Sequence, residues 1–348
     1  MKFRQYHLCS VLKSFESTSA PLDALLSRYF RAHKAIGSKD RAFISETAYN
    51  FVRYKNLYEY CKKGPEETVP IDDLSLPAHL RYGMPKELYE ALLESYGEEK
   101  ASEICQLSNT RAPLTVRVNT LKTTRQELLT RWEGKYAVSP CRHAPDGIVF
   151  KERINFFTLA EFKEGLFEIQ DESSQLAALL VDVTPQDLVL DFCAGAGGKT
   201  LAFAPRMKNK GQIYLHDIRP LALKKGRTRL LRAGIQNVQF RLPPKGKMDV
   251  VVVDVPCSGT GTLRRNPDLK WKFNLETLNR LAQEQRKIFQ EALTYLRPGG
   301  TIVYMTCSLL PQENELQTDF FGLKIKRLFQ TPPILNGQDG FYAVSLQS

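Results

Sequence analysis

The chain has 348 residues, a net charge of +11 and a sequence pI near 9.2, with 43% hydrophobic residues. That is enough for two or three domains with sizeable cores, and the positive balance favours a polyanionic partner, nucleic acid first, over a basic surface kept only for solubility. Seven cysteines without a C-x-x-C pair argue against a metal site or a disulfide framework, and no apolar run approaches the ~18 residues of a membrane span.

The start, Met1 to Ser10, is basic but lacks the apolar core of a secretory signal. A transit peptide is the competing reading. Leu22, Leu25, Leu26 and Tyr29 share a helical face so soon afterwards that folded structure and a cytoplasmic protein are expected. Phe43, Ile44, Thr47, Phe51 and Tyr54 repeat the helical spacing, and basic residues outnumber acidic ones to about position 75. Gly64-Pro65 and an acidic patch to Pro77 read as a connector. A further helix is expected from Pro85 through Leu88, Leu92, Leu93 and Tyr96. Leu114, Val116 and Val118 alternate with Thr115 and Arg117 as in a half-buried strand. A helix follows over Thr123 to Leu129, and Ile148 to Phe150 is a strand after the turn Pro145-Asp146-Gly147. Arg117 and Asn119 are read as exposed residues, with phosphate or sugar as possible contacts.

From about Gly165 strands and helices alternate. The expected strands are Leu188 to Phe192, Gln212 to Leu215, the β-branched run from Val250 to Val253, and Thr301 to Met305 after the turn Pro298-Gly299-Gly300. A very basic helix lies between Leu221 and Ala233, and an amphipathic one between Glu276 and Leu296. This is the pattern of a doubly wound α/β domain, whose chemistry sits beyond the carboxyl ends of its strands. Four such ends carry reactive or ligand-binding residues: Asp191 with Cys193, Gly195, Gly197, Gly198 and Lys199; then Asp217; then Asp254 and Cys257; then Cys307. The glycines permit close approach of a ligand, and an acid about 20 residues on can bond ribose hydroxyls.

Three cofactor classes compete. Gly198-Lys199-Thr200 resembles the end of a Walker A loop, but the spacing then demands glycine where Cys193 stands. A nicotinamide fingerprint fails because Gly198 directly follows Gly197, and it has no use for paired thiols. S-adenosylmethionine fits better, since a cationic cofactor suits the acidic turn at Asp191. Two cysteines then point to methyl transfer onto an atom that must first be made nucleophilic. Cytosine carbon 5 is such an atom, because thiolate addition at carbon 6 gives it enamine character. A carboxyl group on the amidine edge would steady the charge that develops. These residues do not say which thiol attacks.

The stretches EIQDESSQLAALL (168–180), VLDFCAGAGGKT (189–200), HDIRPLALKKGRTRLLRAGIQNV (216–238), VVVVDVPCSGTGTLRRNPDLKW (250–271) and LRPGGTIVYMTCSLLPQENE (296–315) together resemble the RsmB/Nop/Sun RNA (cytosine-5) methyltransferases of bacterial type. The resemblance implies an α/β, Rossmann-like S-adenosylmethionine-dependent methyltransferase domain over 165–348. It implies a helical NusB-like domain over 1–75, carried by DRAFISETAYNFVRYKNLYEY (40–60), and a small RNA-facing α/β subdomain over 76–164, carried by RVNTLKTT (117–124). It makes Cys307 the nucleophile, Cys257 the thiol that assists release, Asp254 the carboxylate on the cytosine edge, and Lys199 a neighbour of the reacting centre. It assigns cofactor binding to Cys193, Ala194, Gly195, Ala196, Gly197, Gly198, Lys199, Asp217 and Asp254. RNA is the implied partner, ribosomal before transfer RNA, and a monomer is expected. The chain departs from the family between Asp217 and Asp254, where QFRLPPKGKM (239–248) lacks the acid that would contact adenine. The competing reading is a catalytically silent RNA-binding ribosome-assembly factor, which need not keep Asp254, Cys257 and Cys307 together.

Overall fold

Apolar residues at helical spacing give the front of the chain six helices: α1 (Phe3–Glu16), α2 (Leu22–Ala32), α3 (Ser38–Arg53), α4 (Lys55–Tyr60), α5 (Ala78–Arg81) and α6 (Lys86–Leu107), the last broken at Gly97, whose φ is 73°. The computed structural model describes residues 3–348; Met1 and Lys2, where the expected helical domain and the leader reading begin, lie outside the described residues. Leu8, Val11, Leu22, Ile44, Ala48 and Val52 form one core of the helices. The stretch read as a connector contributes to a second: Val69 is buried with Leu57, Tyr58 and Leu80.

By its contacts the chain divides into two units. One takes the chain up to Arg111 together with Thr262–Thr277; the other takes Ala112–Gly261 and Leu278–Ser348. The segment Thr262–Thr277, which begins five residues after Cys257, is therefore part of the helical unit. Lys270 holds it there. Its side chain is fully buried, and Nζ donates to the carbonyls of Arg53 (3.2 Å) and Gly83 (3.2 Å) and to Asn109 Oδ1 (2.5 Å). Trp271 adds a bond from Nε1 to the Val52 carbonyl at 2.7 Å. Burial pushes the Lys270 ammonium down to about 7. A lysine lowered in the folded state binds a proton more readily when unfolded, so this unit gains stability as pH rises from about 7 towards the ordinary lysine value. Lys270→Met, which leaves three acceptors without their donor, should cost ~2–4 kcal/mol and flatten that pH dependence in denaturant titrations.

The second unit begins with a four-stranded antiparallel sheet of order β2-β3-β1-β4, built from β1 (Leu114–Val118), β2 (Val138–Pro140), β3 (Gly147–Phe150) and β4 (Phe167–Ile169). Helix α7 (Arg125–Trp132) starts two residues later than its periodicity suggests, because Thr124 and Glu127 form a capping box. It drops Trp132 into a core with Phe150, Phe156 and Phe167. Helix α8 (Ala160–Lys163) completes this part, and α9 (Glu172–Ala178), capped by Asp171, follows it.

The larger sheet then runs through β5 (Leu188–Asp191), α10 (Gly198–Phe203), β6 (Gln212–Leu215), α11 (Pro220–Ala233), β7 (Val238–Gln239), β8 (Met248–Asp254), α12 (Leu275–Leu293), β9 (Leu296–Thr306), α13 (Glu315–Phe321), β10 (Lys324–Thr331) and β11 (Phe341–Gln347). Its order is β10-β11-β9-β8-β5-β6-β7; β5 to β9 are mutually parallel, while β11 and β10 run antiparallel to their neighbours. The period of two in β8 explains its continuous valine run. Val250 and Val252 enter a core with Leu201, Leu230 and Val303, while Val251 and Val253 enter the opposite one with Phe289, Ile302 and Tyr304. This is the expected doubly wound α/β domain. The turn expected at Pro298-Gly299-Gly300 lies inside β9 as an irregularity, where the β8 partner passes from Leu296 directly to Thr301.

Candidate active site

Because β9, β8, β5 and β6 are consecutive parallel neighbours, their carboxyl ends set Cys307, Asp254, Asp191 and Asp217 in spatial order along one edge of the sheet. All the residues expected at a site here do come together on that edge, beside the point where the strand order reverses between β5 and β8.

At the β8–β9 end the two thiols face each other, with Cys257 Sγ 3.3 Å from Cys307 Sγ. Their hydrogen bond, together with burial, pushes the Cys257 thiol well above the ordinary cysteine value. Cys257 thus keeps its proton, and either sulfur can donate across the contact. The turns that carry the thiols interlock. The Gly261 N–H donates to the Cys307 carbonyl at 2.8 Å, and the hydroxyls of Ser258, Thr260 and Ser308 lie within 3.3 Å of one another. Only glycine fits at 261, since a Cβ there would stand 2.2 Å from the Gly340 carbonyl oxygen. Next to the thiols, Lys199 Nζ on α10 donates to Asp254 Oδ2 at 2.8 Å and lies 4.8 Å from the centre of the Phe341 ring. The lysine side chain is 8% exposed and the aspartate 33%, so the carboxylate is the more accessible member of the pair.

The β5–β6 end holds the glycine turn. Gly195 (φ 53°) and Gly197 (φ 76°) take left-handed conformations that disfavour a Cβ. Ala194 donates to the His216 carbonyl and Gly197 to the Ala194 carbonyl, closing the turn, and Gly198 opens α10. Ala196 is fixed from behind by Arg229, whose Nη1 donates to its carbonyl at 2.9 Å. Helix α11 comes this close because its residue at the contact is Gly226, where a Cβ would meet the Ala196 carbonyl carbon at 3.2 Å. Burial raises the Cys193 thiol, which packs against the apolar layer that includes Phe192 and Tyr214.

Asp191 is fully buried. Thr200 donates to its Oδ2 at 2.6 Å, Oδ1 has no hydrogen-bond partner, and burial pushes the carboxyl up to about 7. Such an orphaned oxygen beside a glycine cradle suits a cationic ligand group. Asp217 receives the Gly195 N–H on Oδ2 and the Arg219 N–H on Oδ1. The Arg219 guanidinium also reaches both of its oxygens. Burial alone would raise Asp217, but these bonds outweigh it and hold the carboxyl below its usual value. The Arg219 side chain is 70% exposed, whereas that of Asp217 is 4% exposed. These residues therefore fit the aminoacyl and ribose portions of S-adenosylmethionine.

Several of the basic residues behind the net charge are held by buried partners. Arg229 and Arg232 both pair with the buried Glu168 of β4, and Arg232 also lies 3.8 Å over the Phe162 ring. Arg117 and Asn119 are buried: Arg117 donates to Gln170 at 2.6 Å, and Asn119 bridges the carbonyls of Gly165 and Ala233. Arg264 is buried, whereas Lys272, which pairs with the buried Asp268, stays exposed. A charge count cannot distinguish such residues from solvated ones, because their partners lie far away in sequence. On α11 the exposed cations are Lys224, Lys225 and Arg227. Glu313 and Asn314, inside the LLPQENE segment, carry no local signal of a role in the sequence, yet they are buried against both cysteine turns. Among the described residues, no helix is long and apolar enough to cross a membrane, and no cluster of His, Cys, Asp or Glu has the makings of a metal site.

Comparison with known proteins gives the same outline. A family model described as 16S rRNA methyltransferase RsmB/F matches residues 178–331, and one described as the RsmF/B-like ferredoxin-like domain matches 84–156. The chain is 35% identical over 282 residues to ribosomal RNA small subunit methyltransferase B of Vibrio cholerae, covering 75% of this chain and 64% of that protein. It is 34% identical to the protein of the same name from Enterobacter sp., covering 76% of this chain and 67% of that protein. Several relatives are covered less fully, between 56% and 64% of their length. A crystal structure titled as a methyltransferase homolog protein from Pyrococcus horikoshii, 26% identical, superposes with a TM-score of 0.66 over 78% of this chain and 97% of that one. With a relative of this identity covered over two thirds of its own length, the chain belongs to the RsmB/F methyltransferase family.

Proposed function

We propose that this protein transfers a methyl group from S-adenosylmethionine to carbon 5 of a cytosine in RNA, small-subunit ribosomal RNA before transfer RNA, through a covalent cysteine–cytosine adduct. The observation that carries this reading is the pair of thiols 3.3 Å apart beside the Lys199–Asp254 ion pair, at neighbouring strand ends. In this reading Cys307 adds to ring carbon 6, while Asp254, the more exposed partner of its ion pair, meets the amidine edge of the base. Lys199 orients Asp254 through the bond from Nζ to Oδ2. Cys257 keeps its proton during attack and serves in the later step that frees the adduct. Gly195 to Lys199, Asp191 and Asp217 hold the cofactor, which supplies an electrophilic methyl group when bound.

The names of the relatives support an RNA substrate, and the two thiols support carbon 5 of cytosine over a base nitrogen, which needs no covalent activation. The test is transfer of labelled methyl from S-adenosylmethionine to small-subunit RNA lacking the modification, with bisulfite sequencing to locate it. Methylation at a base nitrogen, or RNA binding without transfer, would overturn the reading; the second result would favour the assembly factor.

The buried acid gives a second test. A cation bound opposite Asp191 Oδ1 favours the charged carboxylate, so cofactor binding at about pH 6 should release a proton from a group that sits at about 7 in the free protein. Calorimetry in buffers of different ionisation heat should detect close to one proton, and Asp191→Asn should remove the difference. In the free protein the same group works in the opposite direction to an ordinary surface acid. Its pKa is raised by folding, so the stability it contributes is present at low pH and lost as pH rises through about 7.

A further inference from the structure

Glu313 and Asn314, adjacent in sequence, hold the two cysteine turns from below. Glu313 is fully buried on a short turn, Pro311–Glu313, that begins with proline. Its Oε1 accepts the Ser258 backbone N–H at 2.8 Å, and its Oε2 accepts the Ser258 hydroxyl at 2.5 Å, immediately beyond Cys257. Gln285 Nε2 also donates to Oε1, and reaches the Pro256 carbonyl on the other side of Cys257. Asn314 does the same for the other thiol. Its Oδ1 accepts the Thr306 hydroxyl at 2.6 Å and its Nδ2 donates to the Ser308 carbonyl at 3.0 Å, the residues flanking Cys307. Tyr304 ties the pair down by donating its hydroxyl to the Glu313 carbonyl at 2.8 Å.

We propose that Glu313 and Asn314 are positioning residues that form a clamp, one residue per cysteine turn, fixing the separation and orientation of the Cys257 and Cys307 thiols. The clamp rests on the reading of those thiols as the reactive pair. Each member holds residues on one or both sides of its cysteine; the Glu313 charge also helps to raise the Cys257 thiol, so the glutamine variant, which keeps the bonds and removes the charge, separates position from charge. Misplacing a reacting group by about an ångström costs on the order of a hundredfold in rate. Apart from the half-buried Ser258, the side chains that bear this constraint are buried, among them Gln285, Thr306 and Ser308. A carboxylate is not demanded by the hydrogen bonds. Glutamine at 313 can accept from the Ser258 N–H and from Gln285, and its amide can donate to the Ser258 oxygen while that hydroxyl turns towards Ser308.

The test uses a readout that does not depend on methyl transfer. Oxidised glutathione joins two neighbouring thiols by exchange: the Cys257 and Cys307 thiols become one disulfide, and the reagent leaves as two thiols. The rate of that cross-link, followed by peptide mass spectrometry, reports how the sulfurs are held, and mixed-disulfide formation at Cys9 on α1 is the control. Glu313→Ala should slow the cross-link about tenfold or more and lower kcat on the order of a hundredfold, with KM for S-adenosylmethionine unchanged. Glu313→Gln should restore both to within a few-fold of the parent. Thr306→Val, isosteric and lacking the hydroxyl that Asn314 holds, serves if Glu313→Ala does not fold, and should slow the cross-link several-fold. Normal cross-linking in a folded Glu313→Ala or in Thr306→Val would overturn the proposal. So would equal losses in the alanine and glutamine variants. An intact protein that cross-links normally but methylates no cytosine would overturn the assigned reaction, while the response of the variants would still decide the clamp.

Discussion

Cys307→Ala is expected to lower turnover by roughly 10⁴–10⁶ in kcat and to form no covalent complex with RNA. The magnitude follows from its position: without addition to carbon 6, carbon 5 is not nucleophilic, and the neighbouring Cys257 does not replace it while it keeps its proton. Cys257, 3.3 Å away, is held as a thiol by that neighbour and by burial. Cys257→Ala should therefore still attack and methylate, then release slowly, and accumulate a protein–RNA species that survives denaturing electrophoresis. The opposite pattern, trapping by Cys307→Ala and none by Cys257→Ala, would exchange the two roles. Trapping by neither, with both variants active, would leave the thiols structural and the covalent route wrong.

Asp254→Asn should reduce kcat by about 10²–10³ with little change in KM for S-adenosylmethionine. Two losses combine. The base edge loses the carboxyl group that steadies charge as the thiol adds, and Lys199, 8% exposed, loses the anion 2.8 Å away that compensates its own charge. Lys199→Met separates them, since it keeps the carboxyl group and removes only its orientation; a loss smaller than that of Asp254→Asn is expected. Equal kcat in Asp254→Asn and the parent protein would place the carboxylate outside the reaction.

The sequence revealed much of the large sheet because its signals are local. The valine run before Asp254, the glycines after Asp191 and the carboxyl-end position of each reactive group all follow from strand periodicity and a single topological rule. What lay hidden depends on partners distant in sequence. Arg229 and Arg232 read as a basic surface because Glu168 lies 61 and 64 residues away, and Arg117 read as exposed although its alternation was correctly seen. The clamp was invisible for a similar reason: Glu313 is 55 residues from Ser258, and an acid in a Pro-Gln-Glu turn looks like a solvated one. Strands β10 and β11 went unnoticed, and the first of them is mostly exposed, so its residues, with Lys324, Lys326 and Arg327 among them, lack the apolar rhythm of a core strand.

The membership of Thr262–Thr277 in the helical unit bears on how such a protein can be dissected or inherited. A fragment beginning at Ala112 would keep every residue of the thiol and cofactor sites, yet it would also carry Lys270 and Trp271 stripped of the helical unit that encloses them. Excision at the apparent boundary therefore yields a catalytic piece with a raw, sticky loop a few residues past its own cysteine. A protease nick near Arg111 would sever the chain without letting the front part be lost cleanly. Recombination that exchanges the front helices between relatives must carry the matching loop as well, so the two stretches are constrained to change together although about 150 residues of chain separate them.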